Sequence, residues 1–350
     1  MTAAPKQFMD CIRPMPVVEG LSTNCWGAAV VGARDQGNGL EDRTMSAYSY
    51  WDGAVFKSEE NGRYYLFASR WEQAEGHWGW LGSRAVVSVS DSLWGPYEER
   101  GQLWPDWCEG AGHNVFPFRV SETDPLYGEG YRYAICVSDT RRCGEIANGT
   151  LHIARSLDGP WELLDNGNGG LIRSTEDFWY SNVSIAVRPE GGYVAVNRWG
   201  FIVTADSLGG FWEVKIKNLW SQFDVMKDRL DFMEDGVIWQ SSGLYHIVVN
   251  DWSARRAYYL TSADCVSWTI REGLAYTPEA DFLRYEDGTV NRWTKLERPN
   301  VYLEDGVVKA MTFAVIDVHK EEDLGNDDHG SKVIVVPFDG EALAAFDRAD

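Results

Sequence analysis

The chain has 350 residues, with 32 basic and 53 acidic side chains and a net charge of −21. Such a field repels nucleic acid and anionic lipid and leaves neutral or cationic partners. The length would allow two domains, but a repeat runs through nearly the whole sequence, so a single domain over 1–350 is expected.

Residues 1–45 are irregular, with Pro5, Pro14, Pro16 and the Gly-rich run from Gly32 to Gly39. Within them Trp26-Gly-Ala-Ala-Val-Val31 reads as a strand that helps close the fold on itself. The organising stretch follows. Asp52-Gly-Ala-Val-Phe56 turns over Glu59–Gly62 and returns as Tyr64–Trp71. After a Trp-rich loop come Ala85–Ser90 and the closing phrase Ser92-Leu-Trp-Gly-Pro-Tyr-Glu98. Short β-rich runs between turn residues predict four antiparallel strands in a meander.

The closing phrase recurs as Ser156-Leu-Asp-Gly-Pro-Trp-Glu162, as Ser207-Leu-Gly-Gly-Phe-Trp-Glu213 and, worn, as Ser262–Trp268. The spacings are 64, 51 and 55 residues (156−92, 207−156, 262−207). One copy per blade predicts a propeller. Blade one runs from Ser46 to Trp104. Blade two opens at Gly110 and returns as Tyr131–Asp139. Blade three opens at Tyr180 and returns as Tyr193–Trp199. Blade four opens at Met233 and returns as Tyr245–Trp252. Blade five opens at Leu296 and returns as Val308–Asp317. The fold class is therefore all-β, a five-bladed β-propeller with four antiparallel strands per blade. Helix is scarce, with Glu341–Asp347 the best candidate.

In a propeller the first strands line the channel, and the ends of the second strands return to the face where the first strands begin. The starts are Trp51-Asp52, His113-Asn114, Ser181-Asn182, Glu234-Asp235 and Glu297-Arg298. The ends are Arg70-Trp71, Asp139, Arg198-Trp199, Asn250-Asp251 and Asp317. A single Asp at such a start can brace neighbouring blades through backbone amides. Five polar openings converging on one mouth point to chemistry. Asp52 and Asp235 occupy equivalent positions, and Glu297 stands beside them. Paired carboxylates are what glycoside cleavage uses, one protonating the leaving oxygen and the other activating water or attacking. Crowding and burial raise one pKa for the acid role.

His113, a channel-facing strand start, is a second candidate acid. Trp78 and Trp80 read as a sugar platform, and the 17 tryptophans of the chain point to stacking surfaces generally. Trp51, Trp71, His77, Asn114, Asn182 and Asp251 complete the expected substrate contacts. Arg70, Arg198 and Arg298 could hold a carboxylate or sulfate. His246 alternates with core residues and reads as structural. The acidic loop Glu321–His329 lacks a calcium-loop pattern and reads as solvated. No cofactor is expected, although a channel-bound or structural divalent cation such as calcium is compatible with so many carboxylates.

The six cysteines, at 11, 25, 108, 136, 143 and 265, show no metal spacing and read as reduced thiols of a cytoplasmic protein. No apolar run resembles a signal peptide or a membrane span. Secretion or a periplasmic location would follow if a leader had been removed. The oligomeric state is open.

Ser-Leu-x-Gly-Pro-Trp-Glu, Glu234-Asp235 and Leu296-Glu-Arg-Pro299 give the chain a resemblance to five-bladed β-propeller carbohydrate-active enzymes, notably glycoside hydrolase families 43 and 117. The resemblance implies a glycosidase with Asp52 as the first-blade base and Asp235, Glu297 and His113 as further catalytic residues. Blades two and three depart from it, opening His-Asn and Ser-Asn where family 43 has Asp and Glu. The alternatives on the same scaffold are a polysaccharide lyase, a metal-dependent sugar deacetylase and a non-catalytic glycan-binding propeller.

Overall fold

A computed structural model describes residues 5–138, 149–174 and 181–349. Asp139, Cys143 and Tyr180 lie outside the described residues. The sheets follow one another in chain order as a five-bladed propeller. Blade one consists of Tyr48–Lys57, Tyr64–Glu72, Arg84–Ser90 and Glu98–Gln102. The inner strands of the other blades are His113–Arg119, Ser184–Val187, Met233–Ser241 and Lys295–Glu304. Each pairs antiparallel with its second strand, and the meander then runs outward. Blade three gains a parallel outer strand, Arg173–Ser174.

Blade packing accounts for the repeated phrase. Its aromatic residue is buried in every copy, as Tyr97, Trp161, Trp212 and Trp268. Trp161 meets Phe67 edge-on at 5.6 Å, in the core between blades one and two. The tryptophan surplus is mostly consumed in this way. Among the described residues Trp78 alone is largely exposed, at 58 %.

Blade five has three strands, Lys295–Glu304, Val307–Ile316 and Ser331–Pro337. Its outer edge is met by the N-terminal segment, where Leu40 and Val333 exchange backbone hydrogen bonds of 2.9 and 3.0 Å. The strand expected at Trp26–Val31 is not there. Ala28–Val31 is a single helical turn entered through Gly27 at φ 71°, and Trp26 packs edge-on against Trp293 at 5.8 Å. A buried ionic knot fastens the junction. Glu41 takes both guanidinium nitrogens of Arg34 at 2.6 Å and the Lys332 ammonium at 2.8 Å. Arg34 also lies 4.1 Å over the Trp26 ring.

The C-terminal helix Gly340–Arg348 is capped by Asp339 and docks through Asp347, which accepts from the Tyr259 hydroxyl at 2.9 Å. His246 bonds the same hydroxyl and Ser241 inside blade four. The reading of all six cysteines as reduced thiols fails at Cys108, which is disulfide-bonded. Cys11, Cys25, Cys136 and Cys265 are free. No helix among the described residues is long and apolar enough to cross a membrane.

The ionic knot makes a stability prediction. Glu41→Ala leaves Arg34 and Lys332 buried without a counter-charge and is expected to cost about 3–5 kcal/mol. Urea unfolding checks it, with a lowered midpoint at unchanged slope as the expected result.

Candidate active site

Each blade places one residue with left-handed backbone at the channel axis. These are Asp52 (φ 66°), Asn114 (54°), Asn182 (50°), Asp235 (56°) and Arg298 (50°). Such geometry is unfavourable for any residue with a Cβ, and less so for Asn and Asp. In four of the blades the strand register slips at this point, as a bulge does when it re-aims a side chain.

The five side chains close a ring. Arg298 donates through Nε to Asp52 at 2.7 Å and through a terminal nitrogen to Asp235 at 2.9 Å. Asn182 donates to Asp235 at 2.6 Å, and Asn114 to Asn182 at 2.7 Å. The Val115 amide returns to Asp52 at 3.1 Å, and Ser69 also donates to that carboxylate. Burial pushes the Asp235 pKa up, but Arg298 outweighs it and holds the carboxyl below the usual range. The two carboxylates keep the Arg298 guanidinium charged despite burial. About 10 Å³ of space remains directly beneath the ring, no more than about one water occupies. The channel is thereby split in two.

The far basin measures about 700 Å³ and is lined by Val55, Phe116, Phe118, Ile185, Trp239 and Val301 among others. The titratable groups crowd the other side. There, one step before the ring residues, stand Trp51, His113, Ser181, Glu234 and Glu297. Glu234, Asp235 and Glu297 offer oxygens within 4.8 Å of one another. A cation could bridge that spacing, and protein cations already approach these carboxylates. Lys320 is ion-paired with Glu297, Lys295 lies 3.5 Å from its other oxygen, and Arg298 is on Asp235. Arg198 approaches Glu234 at 3.4 Å. Burial, then Asp235 and Glu297, push the Glu234 pKa up to about 8 against the pull of Lys320 and Arg198. Lys320 stays charged, since Glu297 and Glu234 overcome its burial.

Lys320 arrives on the acidic loop between the second and third strands of blade five, which is packed rather than simply solvated. His329 Nδ1 lies 2.7 Å from Asp317, and the His77 amide donates to Asp323 at 3.3 Å. Two glycines permit this contact. A Cβ on Gly76 would meet the Asp323 carbonyl oxygen at 2.3 Å, and one on Gly325 would meet that of Ala74 at 2.4 Å. The Lys320 ammonium lies 5.2 Å from the Trp51 ring. His77 sits 5.0 Å from Trp51 and 5.7 Å from Trp71, and burial first, then Lys320, keeps its imidazole neutral. Trp80 tilts over His113 at 4.8 Å, and His113 Nδ1 lies 3.1 Å from the Ser83 hydroxyl.

The structure thus brings Glu297, Arg198, Trp51, Trp71, His77, Trp80 and His113 to one mouth, beside the ring member Asp235. It draws Asp52, Asn114, Asn182 and Arg298 into the ring, where their polar groups face one another. Two expected substrate contacts are elsewhere. Arg70 pairs with Glu99 of the outer strand and stacks on Tyr48 at 4.1 Å. Asp251 is fully buried and held by the Arg229 fork and the Ala254 amide. Trp78 is exposed on the loop beside the mouth. Sequence reasoning assigned no role to Glu234 or Lys320. Glu234 had a signal, since it occupies the same step before a ring residue as Glu297. Lys320 had none.

No protein-family model matches the sequence, and no curated protein is found to match it. Among solved structures the chain is similar to one described as a glycoside hydrolase, with TM-score 0.53 and 12 % identity over 86 % of this chain and 61 % of that longer one. Zg3597, a family 117 glycoside hydrolase of the marine bacterium Zobellia galactanivorans, gives TM-score 0.56 and 10 % identity over 86 % and 88 % of the two chains. CoXyl43, a GH43 beta-xylosidase/alpha-arabinofuranosidase from a compost microbial metagenome, gives 0.52 and 14 % over 86 % and 94 %. At these identities the likeness is one of fold, the five-bladed propeller.

Two measurements probe the site without a substrate. Arg298→Met leaves Asp52 and Asp235 facing each other unneutralised and is expected to lower stability by about 3–5 kcal/mol. Adding Asp52→Asn and Asp235→Asn should recover much of that loss in urea unfolding. Glu234 acts in the opposite sense. Its folded pKa lies above the ordinary 4.5, so the folded protein keeps a proton that the unfolded chain releases, and stability falls as pH rises through this window. Glu234→Gln is therefore expected to be more stable than the parent by about 1–3 kcal/mol near pH ~9 and nearly equal near pH ~4. Parallel unfolding curves at the two pH values check it.

Proposed function

We propose that the chain is a glycoside hydrolase working at the carboxylate mouth of the channel, with Glu234 as general acid and Glu297 as its catalytic partner. One observation carries this reading. Carboxylate oxygens of two glutamates from adjacent blades lie within 4.8 Å of each other in different surroundings, Glu234 buried beside Asp235 with its pKa raised to about 8 and Glu297 ion-paired with Lys320 and 3.5 Å from Lys295. That division of labour is what acid-assisted cleavage of an acetal requires. Glu234 gives its proton to the leaving glycosidic oxygen as that bond breaks. At this spacing, too short for a water to stand between acid and base, Glu297 attacks the anomeric carbon as that bond breaks, and a water that gives its proton to Glu234 then displaces Glu297.

Asp235 supports the acid by keeping negative charge beside it. Asp52, expected from sequence as the base, braces the ring in this reading, with both oxygens already accepting hydrogen bonds. Trp51, Trp80, His77 and His113 form an aromatic wall suited to a sugar face, and Trp78 extends it at the rim. The glycoside hydrolases that share the fold add weight to a carbohydrate substrate. The disulfide at Cys108 favours an oxidising compartment over the cytoplasm.

The test is a screen of aryl glycosides and polysaccharides for new reducing ends. On a hydrolysed substrate, Glu234→Gln and Glu297→Gln are each expected to lower kcat by about 10²–10⁴-fold. The kcat/KM profile should fall above about pH 8 as Glu234 ionises. A Glu297→Gln enzyme with full turnover, beside an inactive but folded Asp52→Asn, would return the base role to Asp52.

A further inference from the structure

Of the three arginines that the sequence places near the mouth, two are spoken for. Arg70 is neutralised by Glu99 and Arg298 by the ring. Arg198 is different. Its one acidic contact among the described residues is a single 3.4 Å approach to Glu234, far from the two-point pairing that satisfies a guanidinium. Its Nε is buried and without a partner, while 30 % of the side chain stays exposed. Across the strand register from Glu234 stands Asn250, only 1 % exposed, with neither amide atom hydrogen-bonded. Trp199 lies beside the pair, its ring 5.6 Å from the Arg198 guanidinium carbon.

The charge balance points the same way. Among the described residues, ring and mouth together hold the cations Arg198, Lys295, Arg298 and Lys320. Against them stand the carboxylates Asp52, Asp235 and Glu297, and Glu234, which keeps its proton in the acid role. Four positive against three negative charges leave a cationic pocket in a protein of net charge −21. The overall field is screened within about 8 Å at physiological ionic strength, so the local excess decides what binds.

We propose that this mouth takes an anionic glycan, a uronate whose carboxylate lies on the Nε edge of Arg198 with Asn250 bonding a neighbouring oxygen. The inference rests on the reading of the mouth as a glycan site and names its substrate class. A planar carboxylate fits the guanidinium fork, and its charge beside Glu234 helps to keep the acid protonated.

The experiment is a calorimetric titration of the whole chain with trimers of galacturonate, glucuronate and mannuronate, of neutral galactose, and of a sulfated galactose. At least one uronate trimer is expected to bind about tenfold or more tighter than the neutral one. That advantage should disappear in Arg198→Gln, return in part in Arg198→Lys, and fade at about 1 M salt. Equal binding of neutral and uronate trimers, no binding of any uronate, or a preference that survives in Arg198→Gln overturns the proposal. A sulfated trimer preferred over every uronate overturns the carboxylate assignment. Failure of the hydrolase reading looks different. A uronate that binds through Arg198 but is left intact, or is released with an unsaturated end, sinks the hydrolase and keeps the anion site. A neutral glycan that is hydrolysed while no uronate binds does the reverse.

Discussion

The guanidinium of Arg298 is the constraint on which the rest of the molecule depends. It lies on the propeller axis between Asp52 of blade one and Asp235 of blade four, bonded to both. A charge buried this deeply is tolerated only with partners that satisfy it. Through Asn182 and Asn114 the same network reaches the two remaining blades, so the blades are bound at the centre by polar groups and between their faces by apolar ones. The left-handed backbone at all five ring positions is the conformational cost of aiming one side chain per blade at the axis.

The ring also sets the chemistry. By occupying the axis it closes the channel and gives the mouth a floor, and by fixing Asp235 as an anion it leaves Glu234 beside a permanent negative charge. Burial and that neighbour push one glutamate toward its neutral form. Two ammonium groups, of Lys320 and Lys295, lie against the other. The two glutamates have the same side chain and come from equivalent positions one blade apart. The difference between them comes from surroundings alone, since the side chains are identical.

Propeller closure and site assembly turn out to be linked. The Arg34–Glu41–Lys332 knot fastens the N-terminal segment to the last strand of blade five, and the loop leading into that strand carries Lys320. This loop reaches the mouth because it packs on the 73–82 segment of blade one through the close contacts at Gly76 and Gly325. A lysine outside the inner strands thus becomes a direct neighbour of the carboxylates. The unmatched charge of Arg198 on the opposite wall is visible only once these pairings are complete.

What the sequence determined by itself was periodic. Runs of alternating apolar residues, Gly-rich turns and the recurring Ser-Leu-x-Gly-Pro-Trp-Glu phrase specify blades, because strand pleat and turn geometry are local and each phrase must bury its aromatic residue against the next sheet. The same register put Glu297, Asp235, Arg198, His113 and the tryptophans of blade one at one mouth. Tertiary structure decided everything that depends on partners distant in the chain. The Asp-Gly openings at Asp52 and Asp235 look alike in sequence whether those residues face water or a guanidinium, and only the docking of five blades turns them into a brace. Arg70 and Asp251 left the site because Glu99 and Arg229 lay within reach. The segment Trp26–Val31 has strand-like composition but follows Gly27 into a helical turn, and Leu40 makes the closing pair instead. Cys108 is disulfide-bonded, and Lys320 finds Glu297, in pairings that no local pattern encodes, since pairing energy depends on distance in space and not on separation along the chain.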